Sequence, residues 1–209
     1  MRSQVVETAS WGQYQRERVK YIALSHPWGA QTKSNIHFCS TKENIASHRK
    51  HILDKNLPST FKDAMKVTRR LGVQYLWIDS ICILQGPDGD FAAEAEHMQD
   101  IFSSAYCVIA ASSAQEMASG FLTSGSKVKR EERISVELPR PDGSTKPQIF
   151  ICESPDDFEN DVICGPLNQR GWVLQERALA RRTIFFTHNQ TYWECSHGIR
   201  CETLSTLIK

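Results

Sequence analysis

No apolar run in this chain approaches the roughly 18 residues that a membrane span requires, and the polar opening Arg2-Ser3-Gln4 carries no signal-peptide core. The expected location is the cytoplasm, with no membrane span. A basic block is lacking as well. The 25 Lys and Arg balance 24 Asp and Glu to a net charge of +1, so nothing tracks a phosphate backbone and no nucleic acid is expected as a partner. Cysteines never stand at C-x-x-C spacing. The seven present (Cys39, Cys82, Cys107, Cys152, Cys164, Cys195, Cys201) are odd in number and scattered, which argues for reduced thiols over a disulfide framework. Cys195, His197 and Cys201 cluster, but their spacing matches no common zinc pattern and no metal is expected. A phosphate-cradling G-x-x-x-x-G-K loop, an internal repeat and a low-complexity tract are all missing.

What is present is a chain of 209 residues with 40% hydrophobic content, enough to bury a sizeable core. Residues 1–18 read as a polar lead-in. Residues 19–209 read as one α/β domain, with insertions at about 30–56 and 112–165. Val19 to His26 is a buried strand stopped by Pro27-Trp28-Gly29. Leu57-Pro58 leads into a helix with Ser59 or Thr60 as cap and Asp63 in the first turn. Its inner face is Phe61, Ala64, Met65, Thr68 and Leu71, and Gly72 ends it. Gln74 to Ile83 is nearly continuous apolar sequence, as in a central parallel strand covered on both faces, and Asp79 interrupts it. Phe91, Ala95, Met98, Phe102 and Ala105 recur at helical period, and Tyr106 to Ala111 is a third strand. This alternation argues for a right-handed α/β unit on a parallel sheet. Arg133 to Leu138 and Gln148 to Cys152 form a hairpin, expected as an antiparallel addition to that sheet. Asp156, Asp157, Glu159 and Asp161 read as a solvated acidic face.

The stretch Gln169 to Arg182 carries the chemical signal. At helical period, Trp172, Val173, Glu176, Leu179 and Ala180 form one inward stripe, with Asn168 as N-cap and Arg181 and Arg182 at the negative end of the helix dipole. A carboxylate within an apolar face is either paired with an arginine, such as Arg170, or held there for chemistry. Two short strands, Thr183 to Thr187 and Thr191 to Cys195, follow. Ser25 and His26 do not make a nucleophile and base, because neighbours on a strand face opposite sides.

Three blocks in order, Tyr21-Ile22-Ala23-Leu24-Ser25-His26-Pro27-Trp28-Gly29, Leu71 to Ile83 and Arg170-Gly171-Trp172-Val173-Leu174-Gln175-Glu176, resemble the signature of the fungal heterokaryon incompatibility (HET) domain. The resemblance covers roughly residues 20 to 200. The family usually has tyrosine where this chain has His26. HET domains are in turn distantly similar to Toll/interleukin-1 receptor (TIR) domains, which implies a flavodoxin-like three-layer sandwich with a mostly parallel central sheet. In NAD-cleaving TIR enzymes the catalytic glutamate lies on a helix in a Trp-x-x-x-Glu pattern, a spacing that Trp172 to Glu176 reproduces. The resemblance thus implies an NAD(P) glycohydrolase acting as a cell-death effector in fungal non-self recognition. NAD(P) is its substrate rather than a bound cofactor, self-association activates it, and an upstream receptor or regulatory protein is a further partner.

The chemistry asks for the same arrangement. Breaking the bond between nicotinamide and ribose builds positive charge on the sugar, which a single carboxylate such as Glu176 stabilises. Nicotinamide leaves as a neutral molecule, so no general acid is required. Trp28 or Trp172 offers a face for a base, Ser25, Gly29 and Asp79 offer ribose and phosphate contacts at strand carboxyl ends, and Arg170 meets a diphosphate or holds Glu176. The competing reading is a non-catalytic signalling module that self-associates, with Glu176 as a structural ion-pair residue. A different nucleotide hydrolase or cyclase on the same scaffold is a third.

Overall fold

The computed structural model describes residues 3–8, 11, 19–31, 37–122, 134–137, 148–151, 156–202 and 206–207. Its organising strand is β1 (Tyr21–Ser25), which hydrogen-bonds on both edges and runs parallel to β2 (Tyr75–Ile78) on one side and β3 (Cys107–Ala110) on the other. β3 pairs parallel with β6 (Arg182–Phe186). Beyond β6 the sheet turns antiparallel through β7 (Thr191–Cys195), β8 (Gly198–Cys201) and β9 (Thr206–Leu207), giving the order β2-β1-β3-β6-β7-β8-β9. The reason is chain length. Only Thr187 to Gln190 join β6 to β7 and Ser196-His197 join β7 to β8, far too few residues for a parallel crossover. The sheet is therefore mixed, less parallel than the sequence alone suggests.

Alternation along β1 divides the core between two faces. Ile22 and Leu24 point to one side and pack with Phe61 and Ala64 of helix α2 (Ser59–Arg70), whereas Ala23 points to the other and packs with Met98 and Phe102 of α4 (Phe91–Ser104). The sheet thus carries helices on both faces in an α/β arrangement. Between β1 and α2 lies α1 (Ile45–Lys50), in the expected insertion. β4 (Ile134–Glu137) and β5 (Gln148–Ile151) form the expected antiparallel hairpin, but as a separate two-stranded sheet rather than an addition to the large one.

Several expectations fail for identifiable reasons. The run from Gln74 to Ile83 is not one strand and not central. β2 stops at Ile78, and Asp79 begins the single turn α3 (Asp79–Cys82) by accepting the Ser80 N–H at 2.7 Å. β2 is the sheet's edge, so Tyr75, Leu76 and Trp77 stay partly exposed. Pro58, not Ser59 or Thr60, stands at the N-cap of α2, and no side chain caps it. Leu71 follows that helix and is exposed, whereas Gly72 supplies the positive φ of 70° that ends it. The acidic stretch 156–161 is a solvated face only in part, with Asp157 and Glu159 exposed and Asp156 and Asp161 turned to buried partners. Asp161 accepts the hydroxyl of the fully buried Tyr192 at 2.8 Å, and Asp156 accepts an amide N–H of Gln190 at 2.7 Å.

Asp63 is buried in α2. Its Oδ2 accepts the backbone N–H groups of Phe121 and Leu122 at 3.0 and 3.1 Å, and its Oδ1 meets Lys66 at 2.9 Å. The carboxylate pins the segment after β3 against α2. Replacing it by alanine leaves two N–H groups without an acceptor, so Asp63→Ala is expected to lower the unfolding free energy by about 3 kcal/mol in urea titration. A loss below about 1 kcal/mol would refute the clamp.

Candidate functional site

The carboxyl end of β1, the residue that follows β2 and the middle of α5 (Gly171–Leu179) come together. α5 is shorter than the Gln169 to Arg182 helix expected. A 3-10 turn, Pro166–Gln169, precedes it, and Arg170 occupies its N-cap. Asn168 does not cap it but donates to the Val162 carbonyl at 2.6 Å. Arg182 already belongs to β6, so Arg177 is the basic residue of the last turn. Of the expected inward stripe, Val173 and Glu176 are buried, whereas Leu179 is exposed and Ala180 lies past the helix end. The Trp172 side chain lies outside the described residues.

Glu176 is 6% exposed, and its Oε2 has no hydrogen-bond partner among the described residues. Among the described residues no arginine pairs with it. Arg170 donates to the main-chain carbonyl of His26, and Arg177 makes a two-point pair with Glu194 at 2.9 and 3.2 Å. Glu176 instead lines a void of about 10 Å³, room for roughly one water, walled by Ser25, Asn168, Val173 and Phe185 among others. The buried Ser25 hydroxyl stands beside the carboxyl and has no other hydrogen-bond partner among the described residues. Burial pushes the Glu176 carboxyl up from its ordinary 4.5 to about 7; the Ser25 hydroxyl opposes the shift, the Asp79 charge adds to it and the Arg170 charge opposes it.

The same two chain segments also wall an open cleft of about 740 Å³, lined by Pro27, Trp28, Gly29, Ala114, Gln115, Pro166 and Arg170. That volume falls in the range of small-molecule sites. Gly29 has φ 79°, a turn that brings backbone rather than side chain to the wall. The Trp28 indole N–H donates to Asp79 Oδ2 at 2.8 Å, and its ring meets His37 edge to face at 5.3 Å. His26 turns to the opposite face from Ser25. It is 2% exposed, packs edge to face on Phe61, and has its Nδ1 3.9 Å from Asp79 Oδ1. Burial holds its imidazole below the ordinary range, against the pull of Asp79.

The expected residues thus fall in two adjoining places. Ser25 and Glu176 share the buried void, Trp28, Gly29 and Arg170 share the open cleft, and Asp79 stands behind Trp28. Sequence reasoning missed Asn168 and Arg177 as walls of the void and His37 as the partner of Trp28. Only their polar character beside apolar neighbours signals them. Among the described residues, no three His, Cys, Asp or Glu side chains gather as metal ligands.

A carboxyl that folds with a raised pKa is stabilising in its protonated form. The unfolded chain loses that proton near 4.5 and the folded one near 7, so stability falls as pH rises through this interval. The loss should total about 3 kcal/mol and vanish in Glu176→Gln, as read by denaturant titrations from pH 5 to 8. Equal slopes in both proteins would show that Glu176 is not held in this way.

The sequence profile of the family described as "Heterokaryon incompatibility protein (HET)" matches residues 21–176, from the first residue of β1 to Glu176. "Heterokaryon incompatibility protein 6, OR allele" of Neurospora crassa is 33% identical over 94 residues, which are 43% of this chain and only 14% of that protein's length. No solved structure matches. With β1, β2, β3 and Glu176 inside a matched span that covers well over half of its length, the chain belongs to the heterokaryon incompatibility (HET) family.

Proposed function

We propose that this domain is a TIR-like NAD(P) glycohydrolase that serves as a cell-death effector in fungal heterokaryon incompatibility, with Glu176 stabilising the positive charge that develops on ribose. The observation that carries the reading is a buried carboxyl that no arginine neutralises and whose Oε2 has no hydrogen-bond partner among the described residues, next to a ligand-sized cleft at the ends of parallel strands. The strand order β2-β1-β3 supports it, being the start of a flavodoxin-like sheet, whose ligands sit where the order reverses.

In this mechanism the cleft receives the dinucleotide. Arg170 takes the diphosphate, Trp28 faces a ring, and the Gly29 backbone permits close approach. The void around Glu176 is too small for a sugar as it stands. The segment from Pro166 to Arg170 and the end of β1 stand between the two cavities, bridged by the Arg170 bond to the His26 carbonyl. Drawing Arg170 onto a diphosphate breaks that bridge and opens the carboxylate to ribose. Ser25 then holds a ribose hydroxyl. Glu176 must be ionised to act, so turnover rises with pH through about 7.

Self-association, an upstream partner and action in the cytoplasm belong to the same proposal. Among the described residues no helix is long and apolar enough to cross a membrane. A second reading, a non-catalytic docking module, is favoured by Leu174, which is 74% exposed on the very helix that carries Glu176.

Glu176→Gln keeps the shape of the side chain and removes its charge. Nicotinamide release from NAD(P), followed by chromatography of the products, is expected to fall by about 100-fold or more in the folded variant. A rate equal to wild type would exclude Glu176, and no turnover by the wild type, even when concentrated or forced to oligomerise, would favour the docking module.

A further inference from the structure

An indole makes a useful wall for a ring only if its plane is fixed, and the cleft wall Trp28 is fixed from behind by Asp79. Asp79 Oδ2 accepts the Trp28 indole N–H at 2.8 Å, and Oδ1 accepts the Ser80 N–H at 2.7 Å. The same Oδ1 faces His26 Nδ1 at 3.9 Å, and the side chain is 21% exposed. Both carboxylate oxygens are engaged by the protein, and Asp79 is not a wall of the cleft that Trp28 lines. A charged acceptor gives a shorter, stronger and more directional bond than a neutral one. His37 holds the indole from another side, with its own Nε2 3.1 Å from the Gly29 carbonyl oxygen.

We infer that Asp79 is a positioning residue: it sets the plane of Trp28 for a ring of the bound ligand and touches no ligand atom itself. Only the choice of NAD as that ligand rests on the function proposed above. Asp79 therefore leaves the set of ribose and phosphate contacts expected at strand ends, and its effect on binding passes wholly through the indole.

Two measurements test this. In protein labelled with ¹⁵N-tryptophan, the indole resonance missing from Trp28→Phe identifies the Trp28 N–H. Asp79→Asn offers one carbonyl oxygen to two donors and carries no charge, so this N–H should exchange with solvent at least about tenfold faster. Unchanged exchange overturns the inference. By calorimetry, Asp79→Asn should weaken NAD binding about tenfold in the wild-type background and less than about twofold in the Trp28→Phe background. Equal losses in both backgrounds would mean that Asp79 meets the ligand directly, which also overturns it. If wild type binds no NAD, the glycohydrolase reading falls, while indole exchange still decides the role of Asp79. Should Asp79→Asn fail to fold, Trp28→Phe, which removes the N–H and keeps a ring, should weaken NAD binding comparably, and undiminished affinity would overturn the inference.

Discussion

A carboxyl group taken out of water without a partner favours its neutral form, and the surroundings of Glu176 are arranged around that constraint. α5 buries the group against the sheet through Val173 and the apolar residues of β3 and β6. The arginines at the start of its helix and next to it in sequence are both committed elsewhere, Arg170 to a main-chain oxygen and Arg177 to Glu194. Had either closed on Glu176, the side chain would be an ordinary buried ion pair. Instead burial raises the pKa of a single carboxyl to about 7, with a hydroxyl beside it and a small cavity in front.

That placement depends on β1. Because the strand is hydrogen-bonded on both edges, its exit point is rigid, and alternation sends Ser25 to the face of α5 and His26 to the face of α2. Pro27 and Gly29 then turn the chain away, leaving Trp28 at the rim of the cleft. Asp79, the residue that follows β2, stands behind Trp28 because β2 ends in register beside β1, Leu24 being opposite Ile78. One side of the site is thus set by sheet registry, the other by the short turn that leads into α5.

Much of this architecture is legible in the amino-acid order. The apolar runs at β1 and β3 and the helical period of α2 and α4 are strong because these elements are buried against one another, so the pattern and the environment agree. β8 and β9 are silent for the opposite reason. They are short and partly polar, and take their order from pairing with β7 rather than from composition. The apolar run that becomes β2 and α3 misleads, because an aspartate can end a strand while Ile81 continues to fill the core. Within the site, Glu176 stands out in sequence as a charge on a greasy face. The commitments of Arg170, Asn168 and Asp79 do not, because each depends on a partner distant in sequence or on a turn that propensity does not specify.

The grip of Arg170 on position 26 falls on a peptide oxygen, which every amino acid possesses. The clamp across the two segments is accordingly blind to side-chain identity there. Histidine stands here without bearing on that clamp, and the identity of its ring is answerable to the pocket against Phe61 and to Asp79 Oδ1 3.9 Å away. Drift at this position is therefore a matter of core fit, uncoupled from the hold that Arg170 exerts.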